Sequence, residues 1–212
     1  MKRRVLLIDD FHEYLHQSMQ GDFDVIDCGD CDATEVGSLL KLHQPEGLLV
    51  RSKIFIDKEL MTATSGLKWI GRGGAGMDNI DEISAQELGI HCFNAGEANS
   101  DAVGEHTLAM LLGLVTRLPK ANAEVKSGKW DREGNRGFEL KGKTVGIVGF
   151  GNTGSAVAQK LKGFGVDILA YDKYKSGFGD DMVTEVSEQD LLRKSDVITL
   201  HIPLTDETKL WL

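Results

Sequence analysis

Cysteine is scarce in this chain, with three residues in 212, and so few do not build a disulfide framework. Proline is equally sparse: the three residues at 45, 119 and 203 fall where helix or strand patterns stop. No apolar run approaches the ~18 residues of a membrane helix, and the run after MKRR breaks at Asp9, short of the ~7–15 apolar residues of an export signal. The cytoplasm is therefore the expected compartment. Basic residues are in deficit, with Lys plus Arg at 24 against 33 Asp plus Glu and a net charge of −9. Such a surface repels phosphate backbones and anionic lipid, which excludes nucleic acid and membrane as expected partners. No internal repeat or low-complexity tract is present.

Two short motifs suggest metal or redox chemistry and fail on their context. HEYLH at 12–16 has the H-E-x-x-H pattern of zinc proteases. No third ligand follows at a matching spacing, and Phe11, Leu15 and Met19 share a helical stripe that explains a helix without metal. CGDC at 28–31 has redox spacing, yet Asp27, Asp30 and Asp32 around it disfavour a thiolate. A solvated helical turn and loop cysteines are the expected readings, and no metal is implied.

What the chain has in quantity is 25 glycines and a regular alternation of short apolar runs with helical spacing. VLLID (5–9), DVIDC (24–28), GLLVR (47–51), LKWIG (67–71) and IHCFN (90–94) read as strands, with helices over 34–43 and 81–89 between them. Five such alternations predict an α/β unit with a parallel, doubly wound sheet. The stretch DAVGEHTLAMLLGLVTRL (101–118) reads as one long buried helix, followed by a polar, glycine-rich loop over 127–143 and a restart of the strand pattern. The expected boundary separates residues 1–98 from 99–212.

The most informative stretch is TVGIVGFGNTGSAVAQKLKGFGVDILAYD (144–172). A bare G-x-G-x-x-G is weak, but here a buried strand precedes GFGNTG, an amphipathic helix follows, and a second strand ends on Asp172. That carboxylate lies about 20 residues past Gly151, where such folds meet the ribose hydroxyls of a dinucleotide. Gly149 suits the tight turn, Gly151 the approach of backbone to pyrophosphate, and Gly154 the packing of helix on strand. The amides near Asn152 and Thr153 aim the helix N-terminus at the anion. Asp172 repels a 2′-phosphate and favours NAD over NADP, though Lys173 leaves room for the latter. The strand over DVITLHIP (196–203) turns His201, Ile202 and Pro203 toward the adenosine side. Arg51 and Arg72 end two parallel strands, where doubly wound folds bind ligands, and suit a carboxylate or phosphate; the alternative is surface pairing with nearby acids.

Together VRS (50–52), GRGGAGMDNID (71–81), NAGEANSDAVGEH (94–106), the run from KWDREGNRGFELKGK to GFGNTG (129–154) and LHIPLTDET (200–208) resemble the D-isomer-specific 2-hydroxyacid dehydrogenases, closest to their phosphoglycerate dehydrogenase branch. The resemblance implies a flavodoxin-like substrate domain, an incomplete NAD-binding Rossmann domain, an active site between them and a homodimer. It implies NAD-dependent oxidation of a small anionic D-2-hydroxyacid, with 3-phospho-D-glycerate in serine biosynthesis foremost. A glyoxylate or hydroxypyruvate reductase and a non-catalytic NAD-sensing module are the alternatives. It further implies that backbone at Gly74, Ala75 and Gly76 holds the substrate carboxylate, that Arg51, Ser52 and Asn99 touch substrate, and that Ala75 touches cofactor. The arm near Trp130 and Arg132 is similar to one that reaches a partner subunit. Ile54 and the Asn94-Ala95-Gly96 turn depart from the family pattern. The family's catalytic Arg, Glu and His are expected beyond Leu212, and His106 and His201 are read as packed or pocket-lining.

Overall fold

The computed structural model describes residues 2–211. They form two compact units, Met1–Ala98 and Asn99–Leu212.

The first unit is a five-stranded parallel sheet: β1 (Arg3–Leu7), β2 (Phe23–Asp27), β3 (Gly47–Val50), β4 (Trp69–Arg72) and β5 (His91–Asn94), in the order β2-β1-β3-β4-β5. That order is the flavodoxin-like doubly wound one. Residue alternation makes both faces apolar, as a parallel sheet covered on both sides requires. Leu6 and Ile8 join Leu48, Val50 and Ile70 in a core with Val36 and Leu40 of α2 (Ala33–His43) and Met61 of α3 (Lys58–Thr62). Val5, Leu7 and Leu49 point the other way, where Phe11, Leu15 and Met19 pack against them. The last two lie on α1 (Glu13–Met19), and α4 (Glu82–Glu87) precedes β5.

The apolar stripe of α1 is thus packed on the sheet, and both histidines of HEYLH serve local structure. His12 caps α1 by accepting the Tyr14 amide at Nδ1, and His16 Nε2 lies 2.7 Å from the Asp27 carboxylate. The three cysteines are free and half-buried. Burial and, next, the charge of Asp27 push the Cys28 thiol up, while burial and the neighbouring Cys28 raise Cys31. Neither is a ready thiolate.

The second unit is a four-stranded parallel sheet of β6 (Thr144–Val148), β7 (Asp167–Tyr171), β8 (Val183–Glu185) and β9 (Val197–Leu200), ordered β8-β7-β6-β9. This is the 3-2-1-4 portion of a Rossmann sheet. On one face Val145 and Ile147 meet Val157, Ala158 and Leu161 of α7 (Asn152–Leu161), with Leu108 and Leu111 of α5 (Ser100–Val115) behind them. On the other, Leu191 of α8 (Glu188–Lys194) lies so close to Gly146 that a Cβ there would sit 2.8 Å from its Cδ2.

The expected single buried helix over 101–118 is corrected in two respects. It ends at Val115, because Arg117 takes a left-handed conformation (φ 56°), and a second helix, α6 (Leu118–Lys126), starts with Pro119 in its first turn. Proline fits there because the first-turn amide has no helical acceptor. The helix is also not buried throughout: Met110 and Leu114 are exposed, as is His106, which is therefore not packed in the core.

Candidate functional site

In the second unit the site grows from the turn between β6 and α7. Gly149 has φ +87°, donates its amide to the Tyr171 carbonyl at 2.8 Å, and has no room for a side chain, since a Cβ would lie 2.5 Å from the His201 carbonyl oxygen. A Cβ on Gly154 would lie 2.1 Å from the Gly149 carbonyl oxygen, so the first turn of α7 seats directly on the loop. Gly151 differs: beyond its immediate chain neighbours, no atom lies within 4 Å of its virtual Cβ. Protein packing therefore explains two of the three glycines, and the third faces open space. Gly151 is also the N-cap of α7, and no side chain caps that helix, which leaves its first amides and positive dipole end for an anion.

Asp172 follows β7 and is tied to the loop. Its Oδ2 accepts the Phe150 amide at 2.8 Å, and its Oδ1 accepts the amides of Tyr174 and Lys175 at 2.9 and 3.0 Å. An ionised carboxylate offers about four acceptor directions, so these three bonds fix its orientation and leave Oδ2 a lone pair for a hydroxyl. Beside it opens a cleft of about 370 Å³ lined by Gly149, Gly151, Asp172, His201, Ile202 and Pro203, among others. His201 Nε2 lies 3.0 Å from Thr199 Oγ1, and burial lowers its pKa, so the ring is neutral near pH 7. Asn152, Thr153 and Gly154 lie on the first turn of α7 and off this wall. The sequence alone did not mark Tyr174, Glu188, Glu207 and Trp211 as lining residues. Their signal was position alone, at or just beyond strand ends and the start of α8.

In the first unit the glycine loop after β4 is built differently. Arg72, with 11% of its side chain exposed, donates Nε to Asn79 Oδ1 at 2.9 Å, and its Nη2 lies 3.8 Å from Asp78. A Cβ on Gly74 would meet Arg72 Nη1 at 2.7 Å, and one on Gly73 would lie 3.6 Å from the Arg51 stem. Both arginines thus flank the same turn. Arg51 is exposed, donates Nη1 to the Asp10 carbonyl at 3.1 Å, and gives its amide to the buried Asp9 carboxylate. Asn79, missed in the sequence, is the hub: its Nδ2 bonds the carbonyls of Arg51 and Ile54, both at 2.8 Å. The Ala75 carbonyl accepts Asn94 Nδ2 at 2.6 Å, and Gly76 is closed in by Asp78. Ser52 is exposed. Asn99, at the N-cap of α5 in the second unit, makes no capping bond, and its buried Oδ1 has no hydrogen-bond partner.

Comparison with known proteins agrees with this construction. Residues 108–212 match the family model described as D-isomer specific 2-hydroxyacid dehydrogenase, NAD binding domain. The chain is 35% identical to D-3-phosphoglycerate dehydrogenase of Methanocaldococcus jannaschii over 97% of its own length and 40% of that protein. It is 39% identical to hydroxypyruvate reductase of Thermotoga maritima over 82% of this chain and 57% of that one. A glyoxylate reductase from Paecilomyes thermophila superposes with TM-score 0.86 at 25% identity, covering 98% of this chain and 67% of the other. The chain thus spans about two fifths of the first of these relatives. With a flavodoxin-ordered unit, a Rossmann half-sheet and these matches, the chain belongs to the D-isomer specific 2-hydroxyacid dehydrogenase family and carries its NAD-binding fold.

Proposed function

We propose that this chain supplies the substrate-binding unit, residues 1–98, and the NAD-binding unit, residues 99–212, of an NAD-dependent D-2-hydroxyacid oxidoreductase acting on 3-phospho-D-glycerate. One observation carries the cofactor half. The chain's own atoms close around Gly149 and Gly154 and leave the face of Gly151 empty, next to a carboxylate with an acceptor position still open. Diphosphate oxygens fit against the Gly151 backbone and the first amides of α7, and Asp172 orients the adenosine ribose. Ile202 and Pro203 offer the adenine an apolar wall. When bound, the nicotinamide accepts hydride from C2 of the hydroxyacid. The chain's own work is to hold and orient both molecules, and no catalytic acid or base is assigned among its residues.

For the substrate, the reading assigns the carboxylate to the backbone of Gly74, Ala75 and Gly76. Arg51, Ser52 and Asn99 contact the acid and phosphate, and Arg72 braces the loop from beneath. The orphan Oδ1 of Asn99 and the exposed guanidinium of Arg51 support this. The choice of 3-phospho-D-glycerate over hydroxypyruvate or glyoxylate follows the names of the phosphoglycerate dehydrogenase relatives. A homodimer is supported by Trp130, 82% exposed on the arm that also carries Arg132. Among the described residues no helix is long and apolar enough to cross a membrane.

Calorimetric titration with NADH tests the reading. The parent protein should bind, and Asp172→Ala should weaken binding about tenfold or more, the scale of a lost hydrogen bond to a charged group. Asp172→Asn keeps an acceptor and should retain part of that loss. An unchanged affinity in Asp172→Ala, with the fold intact by circular dichroism, would remove the cofactor assignment.

A further inference from the structure

The residue after Asp172 is a lysine, and a lysine at that point could in principle receive the 2′-phosphate that distinguishes NADP from NAD. The wall of the cleft carries this one lysine and three carboxylates: Asp172, Glu188 and Glu207. Lys173 is already engaged. Its Nζ lies 2.7 Å from Glu207 Oε2, and the same oxygen accepts the Tyr174 hydroxyl at 2.8 Å. The ammonium also sits 5.5 Å from the centroid of the Tyr174 ring. The three side chains form a closed clip joining the end of β7 to the segment that follows β9. Glu207 is what raises the Lys173 pKa most, and Lys173 is what lowers that of Glu207 most, so both stay charged across the neutral range. Glu188 stands near Tyr171, whose pKa is raised by burial first and by the Glu188 charge next. The other nearby cation, Lys175, turns its Nζ toward the Phe150 carbonyl 3.4 Å away, on the glycine-loop side.

A 2′-phosphate brings a charge of about −1.5 to −2 and needs a cation to replace its lost hydration. Placed on the ribose edge beside Asp172, it would meet that carboxylate, with Glu207 nearby and the one lysine of the wall neutralised. We infer that Glu207 is a specificity-determining residue of the cleft: by holding Lys173 and Tyr174 it denies a 2′-phosphate its cation and so selects NAD(H) over NADP(H). This rests on the dinucleotide reading of the cleft given above. The pair is exposed, with 55% and 59% of the two side chains open to solvent. Its influence on affinity is therefore modest, and it is read as a ratio rather than as an absolute loss.

The test is a comparison of NADH and NADPH dissociation constants, by titration calorimetry, for the 212-residue chain and for Glu207→Gln, Lys173→Met and the double variant. Glu207→Gln should shift the ratio toward NADPH by about fivefold, the scale of an exposed ion pair. The double variant should lose that gain, because the freed cation is gone. Lys173→Met alone should give no shift toward NADPH, because the lysine is committed in the parent and its loss leaves the Glu207 carboxylate unpaired. A ratio that stays put in Glu207→Gln overturns the inference while leaving the dinucleotide site standing, and so does a gain that survives removal of Lys173. A parent protein that binds neither dinucleotide overturns the reading of the cleft and the inference with it. Matching melting temperatures among the four proteins exclude misfolding as the cause of a shift.

Discussion

Two glycine-rich loops, one in each unit, follow a parallel strand and look alike in sequence: GRGGAG after β4 begins and GFGNTG after β6. They are glycine-rich for different reasons. In the first, the space that side chains would occupy at Gly74 and Gly76 holds the ends of Arg72 and Asp78. In the second, the obstruction at Gly149 and Gly154 is backbone, and at Gly151 there is no obstruction. One loop is filled from beneath by its own charged side chains. The other is stacked backbone on backbone and keeps one open face. Glycine content therefore marks close approach, but the identity of the approaching atom decides what the loop can do. A loop lined by movable side chains can adapt to a ligand, whereas one lined by backbone is already set for it.

The sharpest way to break this contrast is alanine at matched positions. Gly154→Ala drives a methyl to 2.1 Å from the Gly149 carbonyl oxygen, and neither the helix nor the loop can yield without moving the other. It should destabilise the second unit by about 3 kcal/mol, the upper range of overpacking. Gly74→Ala meets only the Arg72 guanidinium, at 2.7 Å, and should cost about 1 kcal/mol as that side chain shifts. Chemical denaturation of the two variants measures both. Equal costs would mean the two loops are built alike after all.

Next in size is Asn79, which links the loops after β3 and β4 through three hydrogen bonds while 6% exposed. Asn79→Ala leaves two carbonyls and the Arg72 Nε without partners in a buried site, a loss of about 2–3 kcal/mol. Asn79→Asp should restore the bond from Arg72 and lose those to the carbonyls, falling between parent and alanine in a urea titration. An alanine variant as stable as the parent would deny Asn79 its place at the centre of the first loop.

Gly151→Ala isolates the open face. Beyond its immediate chain neighbours, nothing lies within 4 Å of the added methyl, and the residue's φ of −86° suits an L side chain. Stability should move by less than about 0.5 kcal/mol, within the range of neutral surface changes. NADH affinity should nevertheless fall by about tenfold, because the methyl occupies the approach to the diphosphate. Loss of stability without loss of affinity would turn this glycine into a packing residue like its neighbours.

How much of this was legible beforehand depended on range along the chain. Strands were visible because each is a short apolar run bounded by turn residues, and the β6–α7 turn because its glycines, helix stripe and distal carboxylate lie in one continuous stretch. The break at Arg117 was not, since a left-handed arginine carries no local signature and Leu118 continues the apolar period across it. Asn79 reads as a turn residue in GMDNID; its reach back to Arg51 and Ile54 is a tertiary fact. The Lys173–Glu207 clip joins residues 34 apart and has no periodicity to announce it. Both sequence-adjacent motifs that suggested other chemistry, HEYLH and CGDC, lost it to neighbours that a linear reading places only in part.

The smallest expected effect concerns the arm that follows α6, and it contrasts with the rigid loop at β6. One carboxylate gathers many of the arm's side-chain contacts, beside the bonds that Arg117 and Lys120 give to the Gly134 carbonyl. Glu124 accepts Lys129 Nζ at 2.8 Å, Asn135 Nδ2 at 2.6 Å and Lys120 Nζ at 3.2 Å. These bonds, that from Lys129 foremost, draw its pKa down from 4.5 to about 2. A carboxylate whose folded pKa lies below its unfolded value contributes stability that is complete above the unfolded pKa. That contribution is lost as pH falls from about 4.5 toward about 2. In the parent, protease cleavage within 127–137 should therefore accelerate across this window relative to cleavage elsewhere. Glu124→Gln keeps the shape and one acceptor but no charge, so its arm should be cut faster at pH 7 and should change less on acidification than the parent's. The remaining change comes from Asp131, whose pKa the Gly134 amide and Lys129 lower. Cleavage of the parent that stays flat down to pH 3, measured with an acid-stable protease, would show that the arm is held by something other than Glu124. The packing at Gly149 and Gly154 is chiefly backbone on backbone and involves no ionisable group, so those two contacts should show no such titration.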